Sequence, residues 1–173
     1  MKFQKLTIVL FVSLFFNNLL IAEVPHFLDF KHILNSSDAG KEAQNYLKNK
    51  LDTGLKNISI KEKKILDEEK QIINQKKLIT PEEYKKKVSD LRKKVLSVQN
   101  ERKSLLDSVG EKRLKAKTTL LKNLNPIIKE YMNENKIRMV VDKKSLLLAD
   151  EKLDITKDIM NLLNKKLKSI NLN

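Results

Sequence analysis

The chain has 173 residues with 36 Lys/Arg against 22 Asp/Glu, a formal charge of +14, and is 34% charged but only 5% aromatic. That balance leaves little material for a large core and asks for an acidic or polyanionic partner, a membrane surface or a negatively charged substrate. The lack of cysteine excludes a disulfide scaffold and thiol chemistry, and three glycines and three prolines suit long helices better than a loop-rich chain.

Residues 1–22 carry Lys2 and Lys5, an apolar run from Leu6 to Phe16, and Leu20-Ile21-Ala22. They are expected to be a signal peptide cleaved near Ala22, the alternative being an uncleaved anchor. Residues 23–37 are expected to supply the first strand and turn of a small body. Val24 to Phe30, with Pro25 near its start, predicts a short edge strand that includes Phe27 and Leu28. Lys31 to Asn35 predicts one helical turn, and Ser36, Ser37 and Asp38 offer a helix cap.

Residues 38–125 predict an antiparallel helical hairpin with its tip near residues 78–81. In the first run Leu51, Ile58, Ile65, Ile72 and Ile79 recur every seven residues. In the second, Tyr84, Val88, Leu91, Val95, Val98, Leu105 and Val109 follow alternating steps of four and three, interrupted only at Arg102. Each pattern keeps one narrow apolar stripe on a helix face, as coiled-coil packing requires. Thr80, Pro81 and Glu83 supply an N-cap, a proline in the first turn and a capping box, so a new helix begins there. Some forty residues per run make an arm roughly 60 Å long. After Gly110 the stripe is expected to resume as Leu114, Leu121, Leu124, Ile128 and Tyr131, with Pro126 kinking the helix where it leaves the arm.

Residues 126–173 are expected to complete the body. Ile137 to Asp142, including Met139, Val140 and Val141, and Ser145 to Ala149 predict two strands, and Asp154 predicts the cap of a final amphipathic helix. The fold class is therefore α+β. So small a sheet is marginal in one subunit, and oligomerisation is expected to complete its core.

Two segments resemble the Skp/OmpH family of periplasmic chaperones. Phe27-Leu28-Asp29-Phe30 through Ser36-Ser37-Asp38-Ala39-Gly40-Lys41 is similar to the family's opening strand and turn into the arm. Ile137-Arg138-Met139-Val140-Val141-Asp142, followed by Leu153-Asp154-Ile155-Thr156, is similar to its closing strand and final-helix start. Pro25 and His26 depart from the simple apolar first strand usual in the family. The resemblance implies a homotrimer whose helical arms enclose a cavity for unfolded outer-membrane proteins in the periplasm, acting without ATP, cofactor or catalytic residues.

The arm holds most of the charge, with 23 Lys/Arg against 12 Asp/Glu between Lys41 and Lys122. Its tip gathers Lys76, Lys77, Lys85, Lys86, Lys87, Arg92, Lys93 and Lys94 against Glu82, Glu83 and Asp90. Those cations are candidates for contact with acidic lipid head groups or negatively charged clients, against the plain reading of a solvated helix surface. The resemblance adds lipopolysaccharide as a possible tip contact. Leu66, Ile73 and Leu96, beside the stripes, are candidates for the wall of the client cavity. His26 and His32 lack further ligands at metal-binding spacing, and no nucleophile elbow or phosphate loop is present. Specific nucleic-acid recognition is not expected, since the arm lacks interleaved aromatics. Two alternatives to a chaperone remain: a structural envelope coiled coil and a non-specific polyanion or nucleic-acid binder.

Overall fold

The computed structural model of the protein describes residues 24–172; the leader read at residues 1–22 lies outside them. In chain order the elements are β1 (His26–Leu28), α1 (Phe30–Ser36), α2 (Asp38–Gln75), α3 (Pro81–Glu134), β2 (Val140–Asp142) and α4 (Thr156–Lys166).

Helices α2 and α3 form the hairpin. Their heptad stripes turn inward: Leu47, Ile58 and Ile72 of α2 are buried, as are Val98 and Val109 of α3, with Leu51, Ile65, Val88, Leu91 and Val95 half-buried. The turn between them spans residues 76–80, slightly earlier than the break read from sequence, and Ile79 lies within it. Thr80 and Glu83 make the reciprocal capping box: the Thr80 hydroxyl accepts the Glu83 N–H at 3.2 Å, and the Glu83 carboxylate accepts the Thr80 N–H at 3.1 Å. The Thr80 N–H foremost, and the Thr80 side chain after it, hold the fully exposed Glu83 carboxyl below its usual 4.5.

The stripe beyond Gly110 follows the expected path only in part: Leu124 is buried and Leu121, Ile128 and Tyr131 are half-buried as expected, but Leu114 is not. Leu114 is 65% exposed, and the buried positions are Ala116, Leu120, Leu124 and Ile127. Ala116 packs in one cluster with Ala43, Leu47 and Val109. Small side chains take the inward positions at the arm root and the bulkier Leu114 is turned out. Pro126 sits within α3, which remains one helix to Glu134. Leu120 and Leu124, both before that proline, already belong to the body core.

The body closes around α4. Ile33, Leu124, Ile159 and Leu163 have no exposed surface, and Leu28, Ala39, Leu120, Ile127 and Ile155 complete the cluster. Burial of each large aliphatic side chain is worth about 1.5–3 kcal/mol. Helix α1 has seven residues rather than the single turn expected, because Asp29 caps it: its carboxylate accepts the His32 N–H at 2.7 Å. Ser37 caps α2 through the Gly40 N–H. A Cβ on Gly40 would lie 2.1 Å from the Leu34 carbonyl oxygen, so only glycine fits where α1 turns into α2.

The sheet has two strands. β1 and β2 run parallel in the register His26–Val140, Phe27–Val141 and Leu28–Asp142, so Pro25 and His26 do not prevent pairing. Met139, expected inside the strand, stands just before it, 58% exposed, its carbonyl accepting the His26 N–H at 3.0 Å. The strand expected at Ser145–Ala149 does not form. Lys143–Ser145 makes a 3₁₀ turn instead, and Leu147 and Leu148 are 101% and 95% exposed. Apolar composition favoured a strand there, but among the described residues no neighbouring strand offers a ladder. β1 takes its second contact from Asp154, bridging Phe27 through the Ile155 N–H to Phe27 carbonyl bond of 2.9 Å.

Asp154 also prepares α4, standing one residue before the N-cap Ile155, which lends no side-chain cap. Its carboxylate accepts the Thr156 N–H at 2.9 Å and the Thr156 hydroxyl, and pairs with Lys143 at 3.1 Å. Partial burial works to raise this carboxyl, but the Thr156 and Lys143 contacts outweigh it and hold it below the usual 3.8. Thr156 oxygen in turn accepts the Asp29 N–H at 2.8 Å, tying the start of α1 to the start of α4.

Candidate functional site: the flanks and tip of the arm

The seam of the hairpin is only partly apolar. Midway along the arm, Arg102 reaches Glu62 at 2.7 Å, Lys61 reaches Glu101 at 2.5 Å and Lys94 reaches Glu68 at 2.7 Å. Arg102, the polar interruption in the second stripe, thus finds its carboxylate across the seam. These pairs are exposed, and each is worth well under about 1 kcal/mol. They fix level rather than strength. Nearer the root, Leu105 fills the notch left by Gly54, where an added Cβ would fall 2.4 Å from its Cδ2.

The three expected wall residues are all open to solvent: Leu66 is 55%, Ile73 58% and Leu96 58% exposed. Each directly follows an inward residue, Ile65, Ile72 or Val95, and is therefore rotated about 100° from the seam in the same sense. In an antiparallel pair that rotation puts all three on one flank of the arm. The Lys94–Glu68 pair puts Leu66 and Leu96 at the same level. Leu106, 51% exposed and next to the inward Leu105, joins the same flank and was not singled out from the sequence. Its signal was the same one-step offset from a stripe residue.

At the root this flank deepens into a groove of about 580 Å³ with Leu34, Leu47, Leu51 and Leu120 in its apolar lining and Lys48, Arg113 and Lys117 among its polar residues. Among the described residues no carboxylate lines it. The groove arises where α1, α2 and α3 converge, a convergence that periodicity along a single helix does not reveal.

At the tip the eight expected cations divide. Lys87 donates to the Gln75 side-chain oxygen at 2.7 Å, Lys94 pairs with Glu68, Lys93 with Asp90 at 3.1 Å, and the Lys76 ammonium lies 5.7 Å from the Tyr84 ring centroid. Lys77, Lys85, Lys86 and Arg92 are exposed and make no ion pair among the described residues. Leu78 stands among them, 82% exposed, an apolar knob that the sequence reading treated only as part of the break. Exposed cations on the tip-side turns of the two helices, with the apolar Leu78 in the turn between them, can attract an anionic surface and present an apolar contact to it.

The body residues contribute no comparable chemistry. Phe27 and Leu28 are buried at 4% and 3%, and Val140 and Val141 are half-buried in β2. His32 approaches the Ser36 hydroxyl at 3.3 Å, whereas the His26 Nδ1 is buried with no hydrogen-bond partner among the described residues. Among the described residues, no group of three His, Cys, Asp or Glu side chains is placed to hold a metal ion, and no helix is long and apolar enough to cross a membrane.

No curated protein matches the chain closely enough to count as a relative. A solved structure of a protein from Caulobacter crescentus, described as a candidate outer membrane chaperone (OmpH-like), superposes with a TM-score of 0.78 at 19% identity, covering 86% of this chain and 89% of the other. At that identity the likeness is one of fold. A sequence profile described as outer membrane protein (OmpH-like) matches residues 26–163, from the first strand to the last turns of α4. With the match extending over strand, arm and body alike, the chain belongs to the OmpH-like family.

Proposed function

We propose that the protein is a chaperone that binds unfolded outer-membrane proteins in the periplasm, without ATP, in a cavity between basic helical arms. The observation that carries this reading is the arm flank on which Leu66, Ile73 and Leu96 lie open beside an excess of lysine. Scattered aliphatic contacts ringed by mobile cations hold many sequences weakly, which is what retention of unfolded chains requires. The fold shared with a candidate outer membrane chaperone supports the same reading. In this proposal residues 1–22 direct export and are removed near Ala22. Residues 38–125 are the arm, whose root packs Ala39, Leu120 and Leu124 into the body core, and residues 126–173 with 23–37 are the body.

Three copies assemble through the body in this scheme. A two-stranded sheet with the apolar Leu146 to Ala149 segment unpaired beside it supports assembly, because a partner sheet would cover both. The tip cations Lys76, Lys77, Lys85, Lys86, Lys87, Arg92, Lys93 and Lys94 attract acidic lipid or lipopolysaccharide, with Lys77, Lys85, Lys86 and Arg92 the strongest contributors because no carboxylate engages them.

The test joins two measurements on the mature chain: mass in solution by light scattering after size exclusion, and suppression of aggregation when an unfolded outer-membrane protein is diluted from urea. A trimer that prevents aggregation without nucleotide is expected. A monomer that leaves aggregation unchanged would defeat the proposal.

A further inference from the structure

The flank opposite the open groove is covered by residues 168–172, which follow α4. After α4 the backbone becomes extended at Leu167 and runs back along the arm root. Ser169 and Asn171 are exposed, whereas Ile170 is half-buried and Leu172 is buried to 3%. That alternation is the pattern of an extended strand laid on a surface. Leu172 enters a cluster made by Ala43, Leu47, Val109 and Ala116, in which the two alanines leave room for a branched side chain. The Lys112 ammonium donates to the Leu172 carbonyl and lies 5.9 Å from the Tyr46 ring centroid. Lys168 pairs with Asp38 at 3.0 Å, securing the near end of the tail.

We propose that this flank is a docking groove for an extended polypeptide segment with aliphatic side chains two residues apart, occupied at rest by residues 168–172 and shared with such a segment of a client. Nothing in the resident contacts depends on the tail being part of the same chain. One main-chain carbonyl meets Lys112, and two aliphatic side chains on one face of an extended backbone meet the cluster. Unfolded strands destined for a sheet with one apolar face carry the same alternation. The tail then acts as a built-in competitor: it keeps the cluster dry when no client is bound and yields when one is. The client part of this inference rests on the chaperone reading above.

The test uses the full mature chain and a fluorescein-labelled peptide of the tail's own sequence, Lys-Ser-Ile-Asn-Leu-Asn, followed by anisotropy. Leu172→Asp dislodges the resident tail and leaves the groove intact, so it should bind the peptide at least about tenfold more tightly than the unaltered chain, the scale set by one buried leucine. A peptide with aspartate in place of both Ile and Leu should bind neither protein. Equal affinity of the two proteins for the first peptide, or equal binding of both peptides, would overturn the proposal. Hydrogen exchange supplies a second reading that needs no variant. Addition of an unfolded outer-membrane protein should raise exchange at the amides of residues 168–172, and unchanged exchange while the client is held would reject displacement. If aggregation assays show that no client is held, the chaperone reading fails, and the peptide comparison still decides whether the groove exists.

Discussion

Replacing Gly110 and Gly40 by alanine, one at a time, makes the same chemical change in two opposite settings. Both glycines lie in helices and neither has a positive φ, so alanine suits either backbone. At Gly110 an added Cβ meets nothing within 4 Å. The change there is one of helix propensity alone, a gain of about 0.5–1 kcal/mol. For a chain of this length that raises the melting temperature by roughly 1–4 °C. At Gly40 the same Cβ would stand 2.1 Å from the Leu34 carbonyl oxygen and 2.9 Å from the Ser37 hydroxyl oxygen. Relieving that overlap moves α1, and with it Ile33, away from the core, a strain of about 1–3 kcal/mol or more that outweighs the propensity gain. The two variants should therefore shift thermal unfolding, followed by circular dichroism at one fixed protein concentration, in opposite directions. Constant concentration matters because any self-association would make the midpoint depend on it. A fall in stability for Gly110→Ala, or a rise for Gly40→Ala, would refute the reasoning.

Leu124→Ala removes a fully buried side chain from the cluster that joins α3 to α4 and should cost about 2–5 kcal/mol in urea unfolding; a loss under about 1 kcal/mol would mean that the body repacks freely. Lys136 ends α3 with φ 55° while the Ile137 N–H reaches the Met132 carbonyl, the left-handed position that glycine favours, so Lys136→Gly should raise the melting temperature by a few degrees, and a decrease would count against this cap. The Glu83 and Asp154 carboxyls are both held below their ordinary values, so the stability they contribute is present above 4.5 and 3.8 respectively and is lost as pH falls further. Glu83→Gln, which keeps an acceptor for the Thr80 N–H but cannot titrate, should remove the Glu83 share of that acid sensitivity and leave the Asp154 share; an unchanged acid profile would contradict the assignment.

Wherever one helix had to satisfy a single neighbour, the sequence was easy to read. The inward stripes at Ile58, Ile72 and Val98 and the Thr80–Glu83 capping box follow from period and local chemistry. Difficulty began where three elements meet. Ala116 carries almost no hydrophobic signal, yet it is buried in the cluster that Ala43 also enters, whereas Leu114, placed in the resumed stripe by its spacing, is exposed. Ser145 to Ala149 has the composition of a strand but not the partner, a fact about tertiary context that local propensity does not contain. The same holds for function. The exposure of Leu66, Ile73 and Leu96 could be anticipated from their offset beside the stripe, whereas the root groove and the tail's seat required knowing which helices converge.

The parallel union of β1 with β2 places the entire arm inside one crossover, and this governs the order in which the chain can acquire its shape. Cross-seam links near the tip join residues 12 apart, those farther down 26 and then 40 apart, while the Asp29–Thr156 bond spans 127. Each successive step adds little closure entropy once the previous one is made. The hairpin can thus zip from Thr80 toward its base as soon as both helices exist, and in doing so carries residues near 28 and 140 into reach of one another. A newly made copy would wear its finished arm before it possesses a base, and Thr156 must arrive before that base can latch.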